Sequence, residues 1–132
     1  MQTFDKSSLA IETAAGPHRF DVELALTPAQ QEQGLMFRAK LASDAGMLFD
    51  FGDTAPRGFW MKNTLIPLDM LFIGADGRIV DIHERAVPLS EAVILSAVSA
   101  RAVLELNGGT VARLGIKVGD LVSYKGFGTG GG

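Results

Sequence analysis

The chain has 132 residues, a net charge of −3, 47% hydrophobic and 20% charged residues, and no cysteine. That length makes one domain, able to bury roughly 68–70% of its unfolded surface without staples. Disulfides, thiolate catalysis and cysteine-ligated metals are excluded, and the scattered Lys and Arg form no run that would make a basic face for nucleic acid.

The start, Met1 to Ser8, has neither a basic n-region nor a long apolar run, so no signal peptide or anchor is expected here. No window reaches the apolar length of a membrane span. The lack of cysteine fits the cytosol. It fits equally an exported protein that needs no bridge, in which case this chain would be the mature part behind a new Met1.

Ser8–Thr13 alternates and predicts a short strand. Ala14–Pro17 is a turn. His18–Leu26 alternates again, with Phe20, Val22, Leu24 and Leu26 on one face and Arg19, Asp21 and Glu23 on the other, which predicts a hairpin. Thr27-Pro28-Ala29-Gln30 starts a helix: Thr27 caps, Pro28 suits the first helical position, and Gln30 completes a capping box. Gly34 stops it. Leu35-Met36-Phe37-Arg38 is apolar and ends in a cation, Lys40–Ala45 is a polar loop, and Gly46–Phe51 reads as a strand.

Gly52–Gly58 is a loop and Phe59–Lys62 a further short strand. Pro67 forbids a helix through the centre. Leu68–Ile73 and Arg78–Glu84, joined by Gly74-Ala75-Asp76-Gly77, form the clearest hairpin, because Asp-Gly between β-rich runs is a strong turn signal. Ala86–Val98 reads as an irregular crossing. Ala100–Leu106 is a strand, Gly108–Gly115 a short helix with Val111 and Leu114 inward, and Leu121–Tyr124 a last strand. Together these predict a compact all-β domain, a sandwich or distorted barrel of about nine short strands with two short helices, over residues 1–125. Residues 126–132 read as a flexible Gly-rich tail.

The runs Gly34-Leu35-Met36-Phe37-Arg38, Gly46-Met47-Leu48-Phe49, Phe59-Trp60-Met61-Lys62-Asn63-Thr64, Ile66-Pro67-Leu68-Asp69 and Asp76-Gly77 resemble the family catalogued as domain of unknown function 192. Val103-Leu104-Glu105-Leu106, Gly115 and Gly119-Asp120 extend the resemblance, which covers roughly Phe20 to Tyr124. It implies a small, mostly β prokaryotic domain. Many members carry an export or lipoprotein signal, so it also implies a cell-envelope or periplasmic location. It implies no activity and no cofactor. Gly74 departs from the family, whose members often have Asp there.

The stretch from Trp60 to Asp69 places two charges among apolar residues, and a charge in such a setting is at a rim or paired. Asp69 shares a strand face with Leu71 and Ile73. It is a carboxylate at a pocket floor, or a structural acceptor for the amides of Asn63 to Leu65 and the Thr64 hydroxyl. Arg38 and Lys62 suit an anionic ligand group, or pair with Asp69, Asp50 or Glu105. Trp60 stacks a flat ligand or packs in the core. Asn63 and Thr64 present polar groups to a ligand or shape the turn before Pro67. Asp81 and His83 share a strand face, but two His and no Cys make a poor metal set. Glu105 and Asn107 alternate with Leu104 and Leu106 and are expected to face away from the core.

The leading expectation is a non-catalytic domain that binds a small anionic or carbohydrate-like ligand, or a partner chain, at Arg38, Trp60, Lys62, Asn63 and Asp69, with no cofactor, metal or nucleic acid. The alternatives are a hydrolase of envelope material using Asp69 and Glu105, and a purely structural or interaction domain.

Overall fold

A computed structural model describes residues 1–127. The remaining five residues, the greater part of the expected tail, lie outside the described residues. Nine strands and two short helices follow in order: β1 (Asp5–Thr13), β2 (Gly16–Ala25), α1 (Pro28–Gln33), β3 (Ala45–Ala55), β4 (Gly58–Phe59), β5 (Leu68–Ile73), β6 (Ile79–Ala86), β7 (Ile94–Leu95), β8 (Ala100–Asn107), α2 (Thr110–Leu114) and β9 (Leu121–Ser123). Seven strands form one sheet in the order β6-β5-β8-β3-β2-β1-β9, and β4 pairs with β7 in a second, two-stranded sheet.

The large sheet is antiparallel except where β2 meets β3. A parallel neighbour needs a crossover, and α1 with the loop after it supplies one. The capping box expected at Thr27 and Gln30 starts that helix: Gln30 N–H donates to Thr27 Oγ1 at 3.2 Å, and Thr27 N–H to Gln30 Oε1 at 3.1 Å. The sheet curls into a half-barrel whose outer strands approach each other at one end. There Ile79 N–H donates to Asp120 O at 2.9 Å and Val122 N–H to Gly77 O at 2.8 Å. The predicted hairpin of β5 and β6 forms, with Gly77 at φ 87 in the turn.

Curling encloses one face of the sheet and loops cover the other. The inner one gathers Ile11, Phe20, Val22, Leu48, Leu71, Leu104 and Val122, among others, with Val111 of α2 packed on it. The outer one gathers Met47, Phe49, Leu68, Met70, Phe72 and Val103 beneath the loops that carry Leu35 and Met61. All six residues of β5 are therefore buried. A strand covered on both faces reads as a continuous apolar run, as Leu68 to Ile73 does around its one Asp.

Three details differ from the sequence reading. β2 ends at Ala25, so Leu26 stands about half exposed instead of continuing the inward face. The expected strand Phe59–Lys62 is only Gly58–Phe59, and its partner Ile94–Leu95 lies inside the segment read as an irregular crossing. Packing also continues past residue 125, because Phe127 is buried on the inner face against Tyr124 at 5.1 Å between ring centroids.

Candidate functional site

The five expected binding residues do not converge. Arg38 forms a forked pair with Glu23 of β2, Nη1 to Oε1 at 2.5 Å and Nη2 to Oε2 at 2.8 Å. The hydrogen bond lowers the Glu23 pKa and raises that of Arg38. Lys62 lies over the Trp60 ring, its Nζ 5.1 Å from the ring centroid. Asn63 takes the left-handed conformation, φ 55, and its carbonyl accepts from Phe37 N–H at 2.8 Å. Its contribution is thus a turn that ties two loops.

Asp69 is fully buried on the inner side of β5, not at a pocket floor. Its Oδ1 accepts from Arg85 N–H at 2.8 Å and Gly109 N–H at 3.1 Å; its Oδ2 accepts from Gly109 N–H at 3.1 Å and Val111 N–H at 2.8 Å. Arg85, φ 50, and Gly109, φ 97, both sit in the left-handed region, so one carboxylate fixes two tight bends and the start of α2. The donors are not the Asn63–Leu65 amides expected from proximity in sequence. Both Asp69 oxygens are thus spent on backbone amides.

Of the two buried carboxylates, Glu105 is the one that lines a pocket. It lies on β8 between Met47 of β3 and Met70 of β5, on the outer face, and is 4% exposed. The expectation that it faces away from the core fails because β8 is a central strand with both faces covered. A charged residue within Val103-Leu104-Glu105-Leu106 was the available signal: such a run marks a doubly buried strand, so its polar member is buried as well. Among the described residues the Glu105 carboxyl has neither hydrogen-bond donor nor counter-ion, and burial alone raises its pKa to about 8. Among the described residues no buried side-chain oxygen is left sealed and unpaired, so Glu105 finds its opening in the pocket it lines.

That pocket measures about 280 Å³. Phe49 and Phe51 of β3, Phe59 of β4, Trp60, Leu35 and Met36 make its apolar walls, with Gln31, Glu32 and Thr64 among the polar lining. Phe59 meets Phe49 edge to face at 5.0 Å and Phe51 at 6.2 Å between centroids, which fixes the rings against one another. Gln31 Nε2 is spent on the carbonyls of Ala25 and Asp50. Trp60 is 42% exposed and stands at the rim. Its loop is held by Met61 N–H to Ser90 O at 2.9 Å and Leu89 N–H to Thr64 O at 3.0 Å. Of the five expected binding residues Trp60 alone lines this pocket, joined by Thr64 and by Glu105, which was expected only as the second carboxylate of the hydrolase alternative; the phenylalanines were not expected.

Elsewhere, Asp81 accepts from Ala97 N–H at 2.7 Å, so one member of the Asp81–His83 pair already holds a loop. Among the described residues no three His, Asp or Glu side chains gather as a metal ion would require. No helix among them is long and apolar enough to cross a membrane.

Comparison with known proteins places this geometry in a family. The chain belongs to DUF192, described as an uncharacterized ACR, over residues 10–124. A solved structure from Sinorhizobium meliloti 1021, named as a candidate transcription regulator, is 54% identical with a TM-score of 0.90 and covers 93% of this chain and 96% of its own. A protein of unknown function from Novosphingobium aromaticivorans DSM 12444 is 44% identical with a TM-score of 0.88, over 90% of this chain and 85% of its own. No curated protein matches.

Proposed function

We propose that this member of the DUF192 family is a small-ligand-binding domain whose site is the pocket between Phe59, Trp60 and Glu105. The observation that carries the reading is Glu105: a buried carboxyl, without partner among the described residues, that opens into an aromatic-walled cavity. A polar group held out of water without a hydrogen bond costs stability, and such groups cluster where a ligand completes them. At about 280 Å³ the cavity sits at the small end of ligand pockets, roughly 300–1,000 Å³, so the ligand is compact. A cell-envelope location is part of the proposal and rests on the family resemblance. The proposal includes no nucleic-acid contact for this chain, which carries a net charge of −3 and ties Arg38, Arg57 and Arg101 into ion pairs.

The test is a thermal-shift screen of sugars, amines and small acids on the intact chain. A ligand of the native state raises the melting temperature, and Trp60→Ala and Glu105→Ala should each abolish the shift. If no compound gives a shift that depends on these two residues, the reading fails.

Two observations favour other uses of the same face. A carboxyl whose pKa burial raises to about 8 suits a general acid, so of the two carboxylates of the hydrolase alternative Glu105 is the one that fits. In that case Glu105→Gln would keep binding and lose turnover. The loops beside the pocket and β7 also leave Phe37, Leu65, Val87, Leu89 and Leu95 between 48% and 71% exposed. A partner chain over the rim would bury them.

A further inference from the structure

We infer that the pocket takes an organic cation, its ammonium group seated between the Glu105 carboxylate and the faces of the aromatic rings. The inference rests on the binding reading above and names the ligand class.

Three chemical classes could use a carboxyl beside aromatic walls, and the lining separates them. An anion needs a positive group, and no Lys or Arg lines the pocket. Arg38 is paired with Glu23, Arg57 donates to Asp53 and to the Ala100 carbonyl, and Lys62 sits over Trp60. A saccharide buries many hydroxyls, each of which needs a partner. The pocket has few to give: Gln31 Nε2 is committed, Gln33 Oε1 accepts from Gln2 N–H, and the Thr64 hydroxyl donates to Lys62 O at 3.2 Å. An alkylammonium group asks only for negative potential and apolar contact.

The pocket supplies both. Its two ionisable lining groups, Glu105 and Glu32, are both acids. Three carboxylates that do not line the pocket have partners: Asp69 in backbone amides, Glu23 in Arg38, Asp50 in Arg101. Glu105 lacks one among the described residues, and a cation is the partner that would repay its burial. The ring faces have the matching character. Two of the rings that line the pocket already hold cations of the chain itself, Arg57 at 4.0 Å from the Phe51 centroid and Lys62 at 5.1 Å from that of Trp60. The ring quadrupole attracts such charges.

Binding of the cation transfers the Glu105 proton to solvent, so affinity carries a pH signature. Of the other lining residues only Glu32 is ionisable, and α1 brings no other charge to the site. Calorimetric titration of the full chain with choline, dimethylbutanol (its neutral carbon isostere), N-acetylglucosamine and acetate tests the class. Choline should bind roughly tenfold or more tighter than dimethylbutanol. Its affinity should rise with pH up to about 8 and then level, while that of the isostere stays flat. Glu105→Gln, checked for fold by circular dichroism, should erase both the preference and the pH dependence.

Equal binding of choline and its isostere, or preferred binding of the sugar or acetate, overturns the cation assignment. If that binding is still lost in Trp60→Ala, the pocket reading stands. Binding of choline that is indifferent to both Trp60→Ala and Glu105→Gln overturns the assignment and places the ligand elsewhere. No binding of choline at millimolar concentration overturns the assignment too, and the wider screen above then decides the pocket.

Discussion

Asp69 and Glu105 are buried carboxylates on adjacent strands, one residue apart in the β5–β8 ladder, and the sheet between them gives them opposite fates. Asp69 faces inward and is saturated by three backbone amides. Glu105 faces outward, against methionines and phenylalanines, and none of the described residues donates to it. Their spacing in the chain says nothing of this, because the donors to Asp69 come from residues 85, 109 and 111. Glu105 leaves a measurable trace in stability. An unfolded chain releases its proton near the ordinary value of 4.5, and the native fold holds it to about 8. Between these values the native state binds the extra proton, so stability is full below the first and is lost as pH rises through the second. The loss amounts to roughly 3–5 kcal/mol. Glu105→Gln removes the ionisation, so urea unfolding should find it gaining on the parent chain between about pH 5 and about pH 9. A difference that stays constant across that range would show that Glu105 is not desolvated as described.

At the scale of elements, β3 is the strand on which the pocket depends, since it pairs with β8 on one side and in parallel with β2 on the other. Gly46 lets the backbones approach. A Cβ there would lie 2.6 Å from Leu106 Cδ2 and 2.7 Å from the Glu105 carbonyl oxygen. Leu106 could turn aside, but the carbonyl belongs to the ladder and cannot. Gly46→Ala should therefore destabilise by about 2 kcal/mol or more, read as a lower urea midpoint at unchanged slope. An unchanged midpoint would mean that the β3–β8 approach is looser than this. The same scale shows which elements can be read locally. The α1 cap and the β5–β6 turn were legible because Thr27, Gln30, Asp76 and Gly77 act within a few residues of themselves. The pairing of β4 with β7 was not, because a two-residue strand exists only by virtue of its partner.

For the molecule as a whole, the closure of the half-barrel is the decisive contact. β9 pairs with β1, its Val122 opposite Ile11, and the chain around it bonds to Gly77 and Ile79 at the start of β6. Val122 is fully buried inside the seam, whereas Val118, four residues earlier, is 58% exposed. Val122→Asp should abolish the cooperative unfolding transition, since an unpaired charge buried there costs several kcal/mol, and Val118→Asp should leave it within about 0.5 kcal/mol of the parent. Equal tolerance of the two, by circular dichroism on heating, would mean that the seam contributes little.

Alternation, caps and turn residues are local properties of the chain, so the all-β class, both helices and the central hairpin were legible without the fold, while the family was legible from a resemblance carried by its sequence runs. The sequence also marked the Trp60 stretch as a place of interest, and Trp60 does line the pocket. Only the tertiary structure decided which polar residues meet. Curling of the sheet and the loops laid over its outer face covered the central strands on both sides, sealed Asp69 beneath α2, brought Arg38 to Glu23, and left Glu105 opening among aromatic rings. Pairing across a sheet joins residues distant in sequence, and whether a buried charge is satisfied depends on those distant partners.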